Sequence, residues 1–296
     1  MTNRILDIAE SPARLHVKTG LLVIDREDAG PLTVPLADLA ALVVSHPRVS
    51  FTQAVLSGIA ETGGSVVICD SKHMPAAMLL PLAGNSTQAE RFAMQANATM
   101  PVRKRLWKQI VQAKLRAQAR VLTALRGEDA GIRDLVSKVR SGDPTNVEAQ
   151  AARRYWRALF EDEAFRRNVD ADDQNRFLNY GYAVLRAIVA RALVAAGLHP
   201  CLGLHHHNRY DAFCLADDFM EPYRPLVDRA VVRLCQRRGP ESPLDREGKA
   251  ALIRALTGRF ALDGEQRTLF DILTRTGTSL LRVFGGQSKK LVLPEI

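Results

Sequence analysis

RILDIAESPARLHVKTGLLVID, residues Arg4–Asp25, reads as three short β-prone runs in succession: Arg4–Ala9, Ala13–Lys18 and Leu21–Asp25. Lys18-Thr19-Gly20 lies between the last two and predicts a tight turn joining them. Outward from this stretch the pattern continues. Leu42–Ser45, Ser65–Asp70 and Ala76–Leu80 are further strand-like runs, and Thr52–Glu61 between them has a helical pattern that Gly63-Gly64 ends. Gly84, Asn85 and Ser86 then stop the strand pattern, so Leu82–Ser86 reads as a connection. Beyond it the sequence turns helical. Leu106, Ile110, Ala113, Ala117 and Val121 recur at helical spacing within Val102–Arg126. Phe177–Ala196 is apolar on nearly every side, as a buried central helix is, and Gly197 and Pro200 end it. The expected fold class is α+β, a small N-terminal β-sheet domain followed by a larger all-helical C-terminal domain. The expected bounds are 1–85 for the β-rich part, 86–101 for a linker region and 102–296 for the helical part.

Charge divides along the same line. The chain of 296 residues carries a net charge of +9, and its pI is near 9.7. Residues 1–85 hold six Lys or Arg against eight Asp or Glu, so residues 86–296 carry +11. A polyanion is the partner such a balance favours, nucleic acid before membrane, and it should meet mainly the helical part. The helix over Val102–Arg126 presents Arg103, Lys104, Arg105, Lys108, Lys114, Arg116 and Arg120, which suits either phosphate tracking or simple solvation. No GxxxxGK[ST] loop and no GxSxG elbow occurs, which removes the usual sequence support for P-loop nucleotide hydrolysis and for serine hydrolysis. The N-terminus lacks an uninterrupted apolar core of a secretory signal. The run Ala187–Leu198 is short for a bilayer and contains Arg191. A cytoplasmic protein with four reduced cysteines and no membrane association is expected.

Chemistry concentrates in Gly203–Asp228, GLHHHNRYDAFCLADDFMEPYRPLVD. His205, His206 and His207 are followed by Asp217, Asp218, Glu221 and Arg224. Imidazole and carboxylate together suit a hard or borderline divalent cation. Asp218 and Glu221 would share a helical face, but the same spacing fits a capping box with Asp218 as N-cap. A second acidic segment, Asp143–Trp156 (DPTNVEAQAARRYW), has the same ambiguity. Asp143-Pro144 marks a turn, and Thr145-x-x-Glu148 again fits a capping box. Cys201 and Cys214 flank the histidines, yet their spacing matches no standard zinc module, and Cys214 sits between Phe213 and Leu215 like a core residue.

Taken together, SVVICDSKHMPAAMLLP (65–81), DPTNVEAQAARRYW (143–156) and PCLGLHHHNRYDAFCLADDFMEPYRPLVD (200–228) resemble the CRISPR-associated integrase/endonuclease family of spacer acquisition, in the branch that accompanies type II systems. The resemblance spans nearly the whole chain, and three ordered motifs make it specific. It implies a catalytic and metal-binding triad of Glu148, His206 and Glu221 holding Mn²⁺ or Mg²⁺. Counting the Gly-x-x-His motif from Gly203 selects His206 over His205 and His207, and Asp218 takes a supporting place. The resemblance further implies a two-fold homodimer that brackets a small partner, Cas-two. The implied activity is metal-dependent joining of 3′-OH ends of foreign DNA fragments into the CRISPR array, with hydrolysis when water replaces the 3′-OH. A stand-alone metal-dependent nuclease, and a non-catalytic DNA-binding scaffold with both acidic motifs as mere caps, are the alternatives.

Overall fold

A computed structural model describes residues 4–27, 29–70, 75–82, 86–262 and 264–294. The N-terminal part contains β1 (Arg4–Ile8), β2 (Ala13–Lys18), β3 (Leu21–Arg26), β4 (Ala29–Pro35), β5 (Leu39–Val44), β6 (Val49–Phe51), α1 (Gln53–Glu61), β7 (Ser65–Cys69) and β8 (Pro75–Leu79). They form two four-stranded sheets, ordered β4-β3-β2-β6 and β1-β5-β7-β8. The β2–β3 hairpin turns on Thr19 and Gly20, both with positive φ (48° and 75°). That pair of left-handed residues matches the right-handed twist of the strands it joins. Two strands escaped the sequence pattern. β4 carries Pro31 and Pro35 and lies at a sheet edge, where a missing backbone donor is tolerated. β6 is only three residues long.

Every residue of β5 is buried, because its sheet is covered on both faces. Leu42 and Val44 of β5 and Val66 of β7 point into a core made with α1 and the other sheet. Val43 and Val67 point the opposite way, into the core of the helical part. One sheet is therefore a wall shared by two cores. Across it, the Tyr180 hydroxyl donates to Asp7 Oδ2 (2.9 Å) and Arg191 Nε donates to the Gly63 carbonyl (2.5 Å).

The helical part comprises α2 (Gln88–Ala96), α3 (Met100–Arg126), α4 (Ile132–Val136), α5 (Val147–Phe160), α6 (Asn175–Ala195), α7 (Cys214–Met220), α8 (Arg224–Arg238), α9 (Arg246–Thr257) and α10 (Leu269–Phe284). A 3-10 turn, Glu221–Tyr223, joins α7 to α8. One hairpin, β9 (Arg259–Leu262) with β10 (Glu265–Thr268), interrupts the helices, so the region expected as all-helical carries a small two-stranded sheet. The fold is α+β, strand-rich then helical. Central α6 passes, by length and composition, as a membrane span, but it is mostly buried among the other elements.

The expected linker 86–101 is built differently. Residues 83–85 of the connection signal lie outside the described residues, but 88–96 form α2, which docks on the helical body. Its Gln95 is buried. The Gln95 amide donates to the carbonyls of His199 and Leu202, at 2.9 Å each, and its oxygen accepts from the His199 amide at 2.9 Å. Arg91 donates to the Ala196 carbonyl at 2.7 Å. A short helix beside a Gly-Asn-Ser stop signal reads as linker, yet this one clamps the segment that leads into the histidines.

Candidate active site

Three segments distant in sequence converge below α3. The first is the start of α5. Asn146, at φ +50°, is its N-cap, with its side chain accepting from the Ala149 amide at 3.2 Å. Asp143 adds a second cap, its two carboxylate oxygens accepting from Val147 N (3.0 Å) and Glu148 N (2.9 Å). The orphan amides of the helix start are thus satisfied without Thr145 or Glu148. The capping box that Thr145-x-x-Glu148 fits by spacing does not form. The Glu148 carboxylate instead accepts from Lys114 Nζ at 2.6 Å.

The second segment is the histidine loop. Asp218 is not an N-cap either; it sits inside α7 and is fully buried. Its oxygens accept from the amides of Leu204 (2.5 Å), His205 (3.0 Å) and His206 (3.2 Å), and from His206 Nδ1 at 2.7 Å. One carboxylate therefore folds the loop and fixes the ring. With Nδ1–H given to Asp218, the lone pair of His206 is on Nε2, the tautomer in which an imidazole ligates a cation. The hydrogen bond to Asp218 also raises the His206 pKa against the opposing effect of burial. Its neighbours differ. His205 stacks flat on Trp107 of α3, ring centroids 4.2 Å apart, and burial lowers its pKa. His207 turns its Nδ1 to the His205 carbonyl.

The third segment is the 3-10 turn. Pro222 and Pro225 fall in the first turns of the 3-10 turn and of α8, where a missing amide costs little. Glu221 is buried. Its Oε1 accepts from Arg224 Nε at 2.8 Å, and its Oε2 lies 2.6 Å from Lys114 Nζ at an angle that makes no hydrogen bond. Burial alone would raise the Glu221 carboxyl, but Arg224 and then Lys114 hold it down at about 2. Lys114, expected on an exposed basic face, is instead buried between the two glutamates.

Beneath the site Asp228 is buried and takes hydroxyls from Tyr155 (2.9 Å) and Tyr182. Burial pushes its carboxyl up to about 6, with both tyrosines pulling the other way. A carboxyl raised in the folded state adds stability that is fully present below its unfolded pKa of about 3.9 and is lost as pH rises through about 6. Moving from pH 7 to pH 5 should therefore stabilise the wild type by about 1 kcal/mol relative to Asp228→Asn. Urea unfolding of both proteins at the two pH values measures this, and an unchanged difference would count against it.

The structure thus brings Glu148 and Glu221 to one cation, with Asp218-oriented His206 and Trp107-stacked His205 on the adjoining loop. Among the described residues, no three His, Cys, Asp or Glu side chains are drawn together closely enough to hold a metal ion as they stand. The donor set is nonetheless suited to one. Two carboxylates already share a cationic centre, a buried carboxylate oxygen lacks a hydrogen bond, and an imidazole is held in the ligating tautomer. Cys214 belongs to the core, its Sγ directed at the Asn208 and Asp211 carbonyls, as expected of a packing residue.

The family model described as CRISPR associated protein Cas1 matches residues 6–250. The chain belongs to the Cas1 family. It is 39% identical over 299 residues to a CRISPR-associated endonuclease Cas1 of Neisseria meningitidis, covering all of this chain and 97% of that relative. A second Cas1 endonuclease, from Pyrobaculum aerophilum, is 29% identical over 80% of this chain and 84% of its own length. The fold is shared with a casposase bound to integration product (TM-score 0.82, 19% identity, 99% of this chain and 94% of that one). It is also shared with a Cas1 protein from Thermotoga maritima (TM-score 0.76, 18% identity, 96% and 98%).

Within this Cas1 fold, sequence reasoning missed Asn146, Gln95 and Trp107, and it placed Lys114 on a basic face and Asp143 in a turn without seeing what they do at the site. Asp143 and Asn146 were legible as turn and cap formers, since both residue types favour those positions. Lys114 had no signal, because a lysine facing solvent and a lysine facing two glutamates look alike along one helix.

Proposed function

We propose that this chain is a divalent-metal-dependent DNA endonuclease and integrase of CRISPR adaptation. It joins the 3′-OH ends of foreign DNA fragments into the CRISPR array by transesterification. The observation that carries the proposal is the convergence of Glu148 and Glu221, from separate motifs, on one cationic centre, with neither spent on capping. In the reaction, the 3′-oxygen of the fragment attacks a target phosphorus and gives up its proton. A new P–O bond forms, the target P–O3′ bond breaks, and the target leaves with a free 3′-OH. One phosphodiester replaces another, so no energy source is needed; water as nucleophile gives a nick.

Glu148, His206 and Glu221 would hold Mn²⁺ or Mg²⁺, which when bound supplies Lewis-acid polarisation of the phosphate. Everything else follows from side chains in place. Asp218 keeps the His206 proton on Nδ1 and the ring in position. Arg224, stacked over Tyr182 at 4.6 Å and bonded to Glu221, adds fixed positive charge where the phosphate would sit. The +11 of residues 86–296 favours double-stranded DNA as partner. A homodimer working with Cas2 in the cytoplasm completes the proposal. Two solved structures with this fold are a Cas6-RT-Cas1–Cas2 complex and a Cas1–DNA complex.

The test is joining of a 3′-OH duplex to a repeat-bearing plasmid in Mn²⁺. Histidine replacements locate the ligand. His206→Ala is expected to lower joining by at least about a hundredfold, whereas His207→Ala should leave it near wild type. His205→Ala should cost stability through the lost Trp107 stack, about 1 kcal/mol. If His205→Ala alone abolishes joining, the ligand is one residue earlier. Nicked plasmid without joined product would favour a stand-alone nuclease, and full joining by Glu148→Ala would sink the catalytic assignment.

A further inference from the structure

Lys114 rises from the middle of α3 between the buried Val111 and Leu115, and its side chain is only 12% exposed. Its ammonium lies 2.6 Å from Glu148 Oε1 and 2.6 Å from Glu221 Oε2. Without it, two carboxylates would face each other in a largely dry site, where like charges repel strongly. Lys114 donates a hydrogen bond to Glu148 and makes an equally short ion pair with Glu221 Oε2. Glu221 Oε1 is meanwhile anchored by Arg224.

We propose that Lys114 is an internal counter-ion of the Glu148–Glu221 pair, which a divalent cation must displace in order to bind. This rests on the metal reading above and deepens it. Lys114, Arg224 and the two glutamates sum to zero charge, so the acidic pair exerts little net pull on a cation from solution. A divalent cation that takes the carboxylates leaves the four side chains and the ion at +2. An incoming phosphodiester, with its single negative charge, offsets half of that excess. Lys114 therefore weakens cation binding in the absence of DNA and couples it to DNA binding.

Mn²⁺ titration of the metal-stripped full chain tests this, reading free Mn²⁺ by electron paramagnetic resonance and melting temperature in parallel. The proteins are wild type, Lys114→Met, Lys114→Gln and Glu148→Gln. Both Lys114 variants are expected to melt lower than wild type without metal, to bind Mn²⁺ at least about tenfold more tightly, and to gain more melting temperature from it. Lys114→Gln is one bond shorter but retains a hydrogen-bond donor, so it decides the matter if Lys114→Met does not fold. Mn²⁺ affinity equal to or weaker than wild type in a folded Lys114 variant, with binding lost in Glu148→Gln, overturns the counter-ion and leaves the metal reading standing. Absence of saturable Mn²⁺ binding in wild type and in both Lys114 variants overturns both.

Discussion

Glu221→Gln is expected to fold and yet lose strand joining and nicking together, by at least about a hundredfold. The argument turns on what each oxygen of Glu221 does. Oε1 fixes Arg224 and Oε2 faces Lys114, all within a buried site. Glutamine keeps the shape and one acceptor but removes the charge that brings two cations, or a cation and a metal, to the same place. Glu221→Ala is a harsher variant, since removing one member of a buried ionic group typically costs about 3–5 kcal/mol. Its inactivity could reflect unfolding. The glutamine variant separates the two effects: a melting curve near wild type with no joined plasmid supports the assignment, and undiminished joining by folded Glu221→Gln would refute it.

Gly203→Ala should be nearly as damaging by a wholly different route. A Cβ at residue 203 would meet the His206 carbonyl oxygen at 2.2 Å, Cys214 Cβ at 2.9 Å and Asp218 Oδ2 at 3.1 Å. The first is backbone and cannot swing aside. The loop must open, and opening it strips Asp218 of amides from Leu204, His205 and His206. Overpacking and an underpaired buried carboxylate together should cost about 3 kcal/mol or more. Urea unfolding measures the loss, and joining should fall with it because His206 loses its orientation. A variant as stable as wild type would show that the loop has slack the geometry does not suggest.

Glycine at 203 was legible in the sequence only through the motif that counts from it to His206. The reason for that glycine, a carbonyl turned back on it by the loop, is a tertiary fact. The strand-to-helix division was legible because periodicity changes from two to helical spacing near residue 86, and β1–β3, α1 and α6 follow local patterns. β4 and α2 were not. Proline and polar residues there mimic a connection, and their ordering comes from neighbours: β3 for the strand, and the carbonyls of 196–202 for the helix. Both acidic motifs fit a cap by spacing. Only the fold shows that Asn146 and Asp143 take one capping duty, and that Asp218 folds a loop instead.

The burial of most of α6 bears on how the chain is made. Strands β5, β7 and β8, which cover one flank of this helix, precede it; α8, α9 and α10, which cover the others, follow it. At about 5–20 residues per second, a ribosome needs about 5–20 s to pass from the end of α6 to the end of α10. Through that interval a helix apolar enough to enter a bilayer is half wrapped. Nascent chains halted after α6 has left the ribosome but before α10 has should therefore be the ones that chaperones hold, and chains released whole should not.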